Sequence, residues 1–221
     1  LSENRIDLFK DELRSVIRAI IWLALPVAII TYFTRGYVVS FISHRGNSLM
    51  AGLLGVFAVA ILFRCLYHIL ARSFYAQQDT KTPLYISIVA ISLNVFLAIW
   101  FTFSLRYGAY GLAVAQAIVA IVEVVILFTM MEMRTPGVLN KYFWQGILRM
   151  ASAAGFMSII CYFMVHWLPF EAGARSLYEA VPKFILIVLV SLSTYLMFSR
   201  LLQIKESEPV MRKLRKVFFR A

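Results

Sequence analysis

Charge is scarce in this sequence, and acidic charge scarcer still: 15% of the 221 residues are charged, with 11 Asp and Glu against 22 Lys and Arg. An average soluble chain carries about 25% charged and about 45–50% apolar residues. Here 62% are hydrophobic and the mean hydropathy is +0.80. So much apolar surface excludes a soluble domain and marks an all-α integral membrane protein. Cysteine is almost absent: Cys65 and Cys161 both fall in apolar runs, with no metal-ligand spacing. The three histidines, His44, His68 and His166, are too scattered to form a ligand set. There is no P-loop, no HExxH and no nucleophile elbow, so no catalytic residue, metal site or cofactor is expected. The net charge of +11 would raise nucleic-acid binding in a soluble protein. The basic residues, however, cluster at the ends of apolar runs, and the aromatics show no RNA-stacking pattern; no nucleic-acid partner is expected. The chain opens at Leu1 without a signal-peptide pattern, and the missing Met fits a fragment or a processed form.

What is present is a series of long apolar runs. A bilayer core of about 30 Å takes about 20 residues of helix. Six segments qualify: Val16–Thr34, Ser48–Arg72, Leu84–Ser104, Ala109–Met131, Phe143–Trp167 and Val181–Leu202. Polar, Gly or Pro signals bound each one, including Arg45-Gly46-Asn47, Arg106-Tyr107-Gly108, Arg134-Thr135-Pro136-Gly137 and Pro169–Gly173. The third and fourth are joined so closely that they should form a tight antiparallel hairpin. Leaving out Arg18 and Arg64, which lie within segments, the terminal side carries fifteen Lys and Arg; the opposite side carries five (Arg35, Arg45, Arg106, Arg175 and Lys183). The positive-inside rule then makes both termini cytoplasmic. Residues 1–15 read as a surface helix leading into the first span. Residues 204–221 form a basic tail with interleaved apolar side chains, which suits either an interfacial helix on anionic membrane lipids or a frayed topogenic tail.

Ionisable groups inside spans are costly and usually face a cavity or a partner. Arg64, His68 and Arg72 follow at i, i+4 and i+8, which reads as a basic ladder on one helix face. It is either a cationic wall for an anionic headgroup or a snorkelling Arg64 above an ordinary topogenic Arg72. Glu123 is the acidic residue deep in a span, with Gln116 two turns earlier on its face. It could pair with Arg64 across the bundle or couple an ion. Arg18 occupies the first turn of the first span, and Asn94 suits an interhelical hydrogen bond. Pro26 removes a backbone hydrogen bond in mid-span and could serve as a hinge, although many inert membrane helices carry Pro. Gly111 with Ala115, and Ala113 with Ala117, allow close helix packing.

The stretch from Ser73 to Pro83, SFYAQQDTKTP, breaks two apolar runs. Phe74 and Tyr75 would anchor a helix end at the membrane surface, Asp79 and Thr80 start a turn, and Thr82-Pro83 would cap the next helix. This string resembles the signature loop of the MurJ/MviN lipid II flippases, of the multidrug/oligosaccharidyl-lipid/polysaccharide exporter superfamily. Leu23-Ala24-Leu25-Pro26, Thr34-Arg35-Gly36-Tyr37, Asn94, and Gly108, Gly111 and Leu112 also resemble family features in the right order. His68 and Glu123 depart from it, standing where relatives often have Lys and Asn.

The resemblance implies the last six helices of a MATE-like fourteen-helix transporter: residues 16–132 as four helices of the second lobe and 143–203 as two appended helices. It implies a bacterial inner-membrane protein, not an enzyme, that flips a polyprenyl-pyrophosphate-linked peptidoglycan precursor by alternating access, with Arg18, Arg64 and His68 as candidate substrate contacts. The missing N-terminal lobe would be a partner. Two alternatives stay open: another exporter of the superfamily carrying a polysaccharide-lipid or a drug, or a non-transporting membrane scaffold.

Overall fold

The computed structural model describes residues 2–42, 47–168 and 177–208, and these are almost entirely helical. In chain order the helices are α1 (Ser2–Phe33), α2 (Arg35–Ile42), α3 (Ser48–Ala76), α4 (Lys81–Ile99), α5 (Ala109–Arg134), α6 (Lys141–Trp167) and α7 (Leu177–Leu201). A π-helical turn, Trp100–Ser104, extends α4, and a short 3-10 turn, Lys205–Ser207, follows α7. Among the described residues six helices are long and apolar enough to cross a membrane: Asp7–Phe33, Ser48–Ala76, Lys81–Ser104, Ala109–Arg134, Lys141–Trp167 and Ala180–Leu201. They coincide with the six expected segments. Polar side chains set their starts. The Asn47 carboxamide oxygen accepts from the backbone N–H of Leu49 and Met50, and that of Asn140 from Phe143.

The spans pack in the order α4, α5, α3, α1, α6, α7. α5 is the inner helix of the α3–α5 group because its surface is small: Gly111, Ala113, Ala115, Ala117 and Ala120 are all buried. Gly111 meets the Phe101–Thr102 backbone so closely that a Cβ would stand 2.8 Å from a carbonyl carbon. This close approach closes the α4–α5 hairpin, and Gly108 turns it at φ +56°. α1, α3, α5 and α6 share one apolar core around Ile17, Leu70, Phe74, Leu127, Phe143 and Met157.

Two features differ from the reading of the sequence. α1 runs unbroken from Ser2, so the amphipathic start and the first span form one rod, and α2 fills a stretch read as a turn. Its Tyr37 is buried, and the hydroxyl donates to the Leu168 carbonyl at the end of α6. Pro26 leaves the Trp22 carbonyl without its helical N–H, and Tyr195 of α7 supplies the missing donor, its hydroxyl lying 2.9 Å from that oxygen. The Trp22 indole N–H in turn donates to the Ser199 hydroxyl at 3.1 Å. The proline therefore lies next to a tie between α1 and α7. The turns at Arg45-Gly46 and Pro169–Gly173, and the tail from residue 209 on, lie outside the described residues.

Candidate functional site

α3, α4 and α5 enclose a polar cleft of about 370 Å³ at membrane depth. Arg64 Nη1 of α3 donates to Glu123 Oε2 of α5 at 2.9 Å, the first of the two readings that the sequence left open for Glu123. The Tyr67 and Ser87 hydroxyls lie 2.7 Å apart, and the Asn94 amide donates to the Gln116 carbonyl oxygen at 2.8 Å. Each bond joins two different helices. The ion pair is lopsided: the Glu123 side chain is 5% exposed and that of Arg64 is 37% exposed. The carboxylate is fixed inside the bundle while the guanidinium opens toward the cleft. A wider depression of about 750 Å³ continues from it past Arg64, Cys65, His68, Asn94 and Gln116. A guanidinium has five N–H donors, and its planar fork matches phosphate oxygens. With two amides and an imidazole beside it, the cleft can bind an anionic, polyhydroxylated group.

The basic ladder fans out. Four residues of α-helix advance the side chain by about 400°, a net turn of about 40°. Arg64 accordingly lies in the α4–α5 cleft, Arg72 in a separate groove beside α1, and His68 lines that groove and the wider depression but not the cleft itself. Arg18 stands apart from all three. It is buried in α1, with its Nε 2.7 Å from Glu206 Oε1 in the turn after α7 and its guanidinium 4.9 Å from the Tyr142 ring centroid. Gly146 of α6 makes room for it; a Cβ there would stand 2.4 Å from the guanidinium carbon.

The Ser73–Pro83 loop is a clamp. Asp79, rather than Thr82, caps α4: its Oδ1 accepts from the backbone N–H of Lys81 and Thr82 at 3.0 and 3.1 Å. Its Oδ2 lies 2.6 Å from Arg134 at the end of α5, and Arg134 also donates to the Thr82 hydroxyl at 3.1 Å. Thr80 stands at the N-cap position without a side-chain cap bond, and Pro83 is buried in the first turn. Phe74 is fully buried beneath the Arg134 guanidinium, so of the aromatic pair Tyr75 alone faces outward. Phe74 is core because its carbonyl also accepts from the N–H of Gln77 and of Asp79, folding the loop back onto it. The loop thus fastens α3, α4 and α5 at one end of the cleft.

A sequence profile of the lipid II flippase MurJ family matches residues 1–181. The chain belongs to that family. It is accordingly a multi-pass membrane protein. It is 24% identical over 219 residues to a probable lipid II flippase MurJ of Thermotoga maritima, covering 96% of this chain and 42% of that protein. It is 26% identical over 159 residues to a probable lipid II flippase MurJ of Vibrio cholerae, covering 70% of this chain and 29% of the relative. The lipid II flippase MurJ of Thermosipho africanus is 24% identical over 125 residues, covering 54% and 26%. The chain spans less than half the length of the curated relatives it matches.

Within this MurJ-family chain, three partners escaped the sequence reading. Glu206 lies unmarked in a basic tail, Tyr195 gives no sign of facing a proline, and Arg134 reads as a topogenic charge and a span boundary. A lone buried arginine demands a carboxylate, and that demand was the available signal for Glu206. The clamp has a pH signature. Hydrogen bonds from Thr82, helped by the Arg134 charge, hold the Asp79 carboxyl below the usual carboxylate range. A lowered folded value stabilises above the unfolded pKa, about 3.9, and the gain fades as pH falls through the folded value. Thermal unfolding of wild type and Asp79→Asn should therefore differ by a constant amount above about pH 5, and the gap should close below about pH 4. A gap that persists unchanged into acid would refute the assignment.

Proposed function

We propose that this chain is the C-terminal portion of a lipid II flippase, in which the α3–α4–α5 cleft takes part in holding the pyrophosphate-linked headgroup during passage from the inner to the outer leaflet. The observation that carries the reading is an arginine opening into a cleft at membrane depth in a chain of the lipid II flippase MurJ family. Arg64 and His68 serve as cationic donors, with Asn94 and Gln116 as neutral hydrogen-bonding groups. Glu123 sets the Arg64 orientation, and Arg18 is structural. Spans α1, α3, α4 and α5 belong to the second lobe of a fourteen-helix transporter, and α6 and α7 are the appended pair. An opposing N-terminal lobe completes the cavity. The protein lies in the bacterial inner membrane with both termini of this segment cytoplasmic, as the distribution of Lys and Arg supports, and it has no catalytic chemistry. Bending at Pro26 during alternating access breaks the bond from Tyr195 to Trp22.

The test uses the full-length protein. The paired substitution Arg64→Gln with Glu123→Gln removes the cation without stranding a buried carboxylate, and His68→Ala removes the second donor. Each should lower lipid II translocation in reconstituted vesicles by about tenfold, the factor carried by one charge-assisted contact, at unchanged membrane levels. Wild-type protein that moves a different polyprenyl-linked glycan and leaves lipid II in place would assign it to another branch of the superfamily. Variants with full translocation would remove the cleft from the substrate path.

A further inference from the structure

A second depression lies on the α1 side of α3 and shares Ile61, Cys65 and His68 with the wider depression beside Arg64. α1 and α3 part along a groove of about 600 Å³ whose walls include Leu23 and Val27 from α1 and Ile61 and Cys65 from α3. Leu23 and Val27 are more than half exposed, so the groove opens sideways, toward where lipid lies. Its ionisable lining residues are His68 and Arg72, both toward one end and both exposed. Arg14, Arg18, Arg64 and Arg134 each have a carboxylate within ion-pair distance. Arg72 has no ion pair and no hydrogen bond from its side chain among the described residues. A cation thus stands at the mouth of an apolar channel with its charge unmatched by the described residues around it.

The length of the groove matches one leaflet. Ile61 and Arg72 are eleven residues apart on one helix, about 16 Å at about 1.5 Å per residue. That is close to half of the about 30 Å hydrocarbon core, the depth of one leaflet. Arg72 lies four residues before the end of α3 at Ala76, the level of a headgroup if Ile61 is near the midplane. We propose that this groove binds an anionic diacyl phospholipid of the surrounding leaflet, one acyl chain lying along Leu23, Val27 and Ile61 and the phosphate resting on Arg72 above His68. A polyprenyl chain would outrun a groove of one leaflet's depth. A protein helix laid over the groove would leave Arg72 to water, whereas a phosphate matches its charge.

Photoactivatable phospholipids carrying a diazirine in one acyl chain test this on the full-length protein in nanodiscs, with phosphatidylglycerol and phosphatidylcholine headgroups compared. The phosphatidylglycerol probe should label the peptides containing Leu23 to Val27 and Ile61 to Ile69 about fivefold more than the phosphatidylcholine probe, the factor expected of one basic side chain at an anionic membrane surface. Arg72→Gln should abolish the preference and leave total labelling of other spans unchanged. Equal labelling by both probes would reduce the groove to ordinary lipid contact and overturn the proposal. Absence of labelling in these peptides would show that protein covers the groove, and loss of the preference on adding a polyprenyl phosphate would give it to a transported lipid; either also overturns it. Since the readout needs no translocation, it stands or falls separately from the flippase reading.

Discussion

Glu206→Ala should cost this protein about 3–5 kcal/mol of stability, the range for removing one partner of a buried ion pair. The side chains of Arg18 and Glu206 are 7% and 10% exposed, so neither charge has much water to fall back on. Arg18 also has nowhere to go: the Tyr142 ring lies on one side of it and the Gly146 backbone on another. Once the carboxylate is gone, a guanidinium remains among packed helices. The reverse change should cost less, because Glu206 follows α7 in a short turn that can lift away to water when Arg18 is absent. Replacing both by leucine should recover most of the loss, since the desolvation of two charges disappears with their attraction. Thermal unfolding of the purified protein in detergent separates the three variants. Glu206→Ala melting with wild type would mean the pair is solvated and carries no stability. The same contact determines how the tail begins: Ile204 and Ser207 are buried, so the basic segment leaves from a docked turn.

The fold was legible because its physics is one-dimensional. A span needs length and apolarity, and both can be counted along the chain; five of the six segments lie within four residues of their helices, while the first starts at Val16 although α1 already runs from Ser2. α2 was not legible, because eight residues, RGYVVSFI, are too short and too apolar to be told from the end of a span. Its helix is held from outside, by the Tyr37 hydroxyl on α6. The Arg64–Glu123 pair was legible by exclusion, since each was a deep charge with few conceivable partners. Arg18 obeyed the same logic, but its partner lay 188 residues away in a segment whose net charge hid it. The loop from Ser73 to Pro83 stood out as a pattern of residue types, whereas its mechanics did not. That Asp79 caps and Thr82 receives Arg134 depends on where α5 ends, and nothing local records that.

Arg64→Ala and Glu123→Ala should differ sharply although they break the same 2.9 Å contact. Removing Arg64 strands a carboxylate that is 5% exposed between α3 and α5, and the loss should be about 3–5 kcal/mol. Removing Glu123 strands a guanidinium whose side chain is 37% exposed and which already opens toward the cleft. It can turn into the cleft and recruit water or a bound anion, so the loss should be about 1 kcal/mol, nearer to that of a surface pair. The double alanine variant should sit close to Glu123→Ala alone, because the stranded carboxylate is what makes the arginine deletion expensive. Unfolding of the four proteins in one detergent gives the coupling energy directly. Losses that simply add would mean that the two groups do not act together. If the asymmetry is present, it explains how one contact can be both structural and usable. The acid is buried in the bundle, and the base is held by the acid and, at 5.9 Å, by the face of the Tyr67 ring. Arg64 is therefore the member of the pair that can turn toward the cleft.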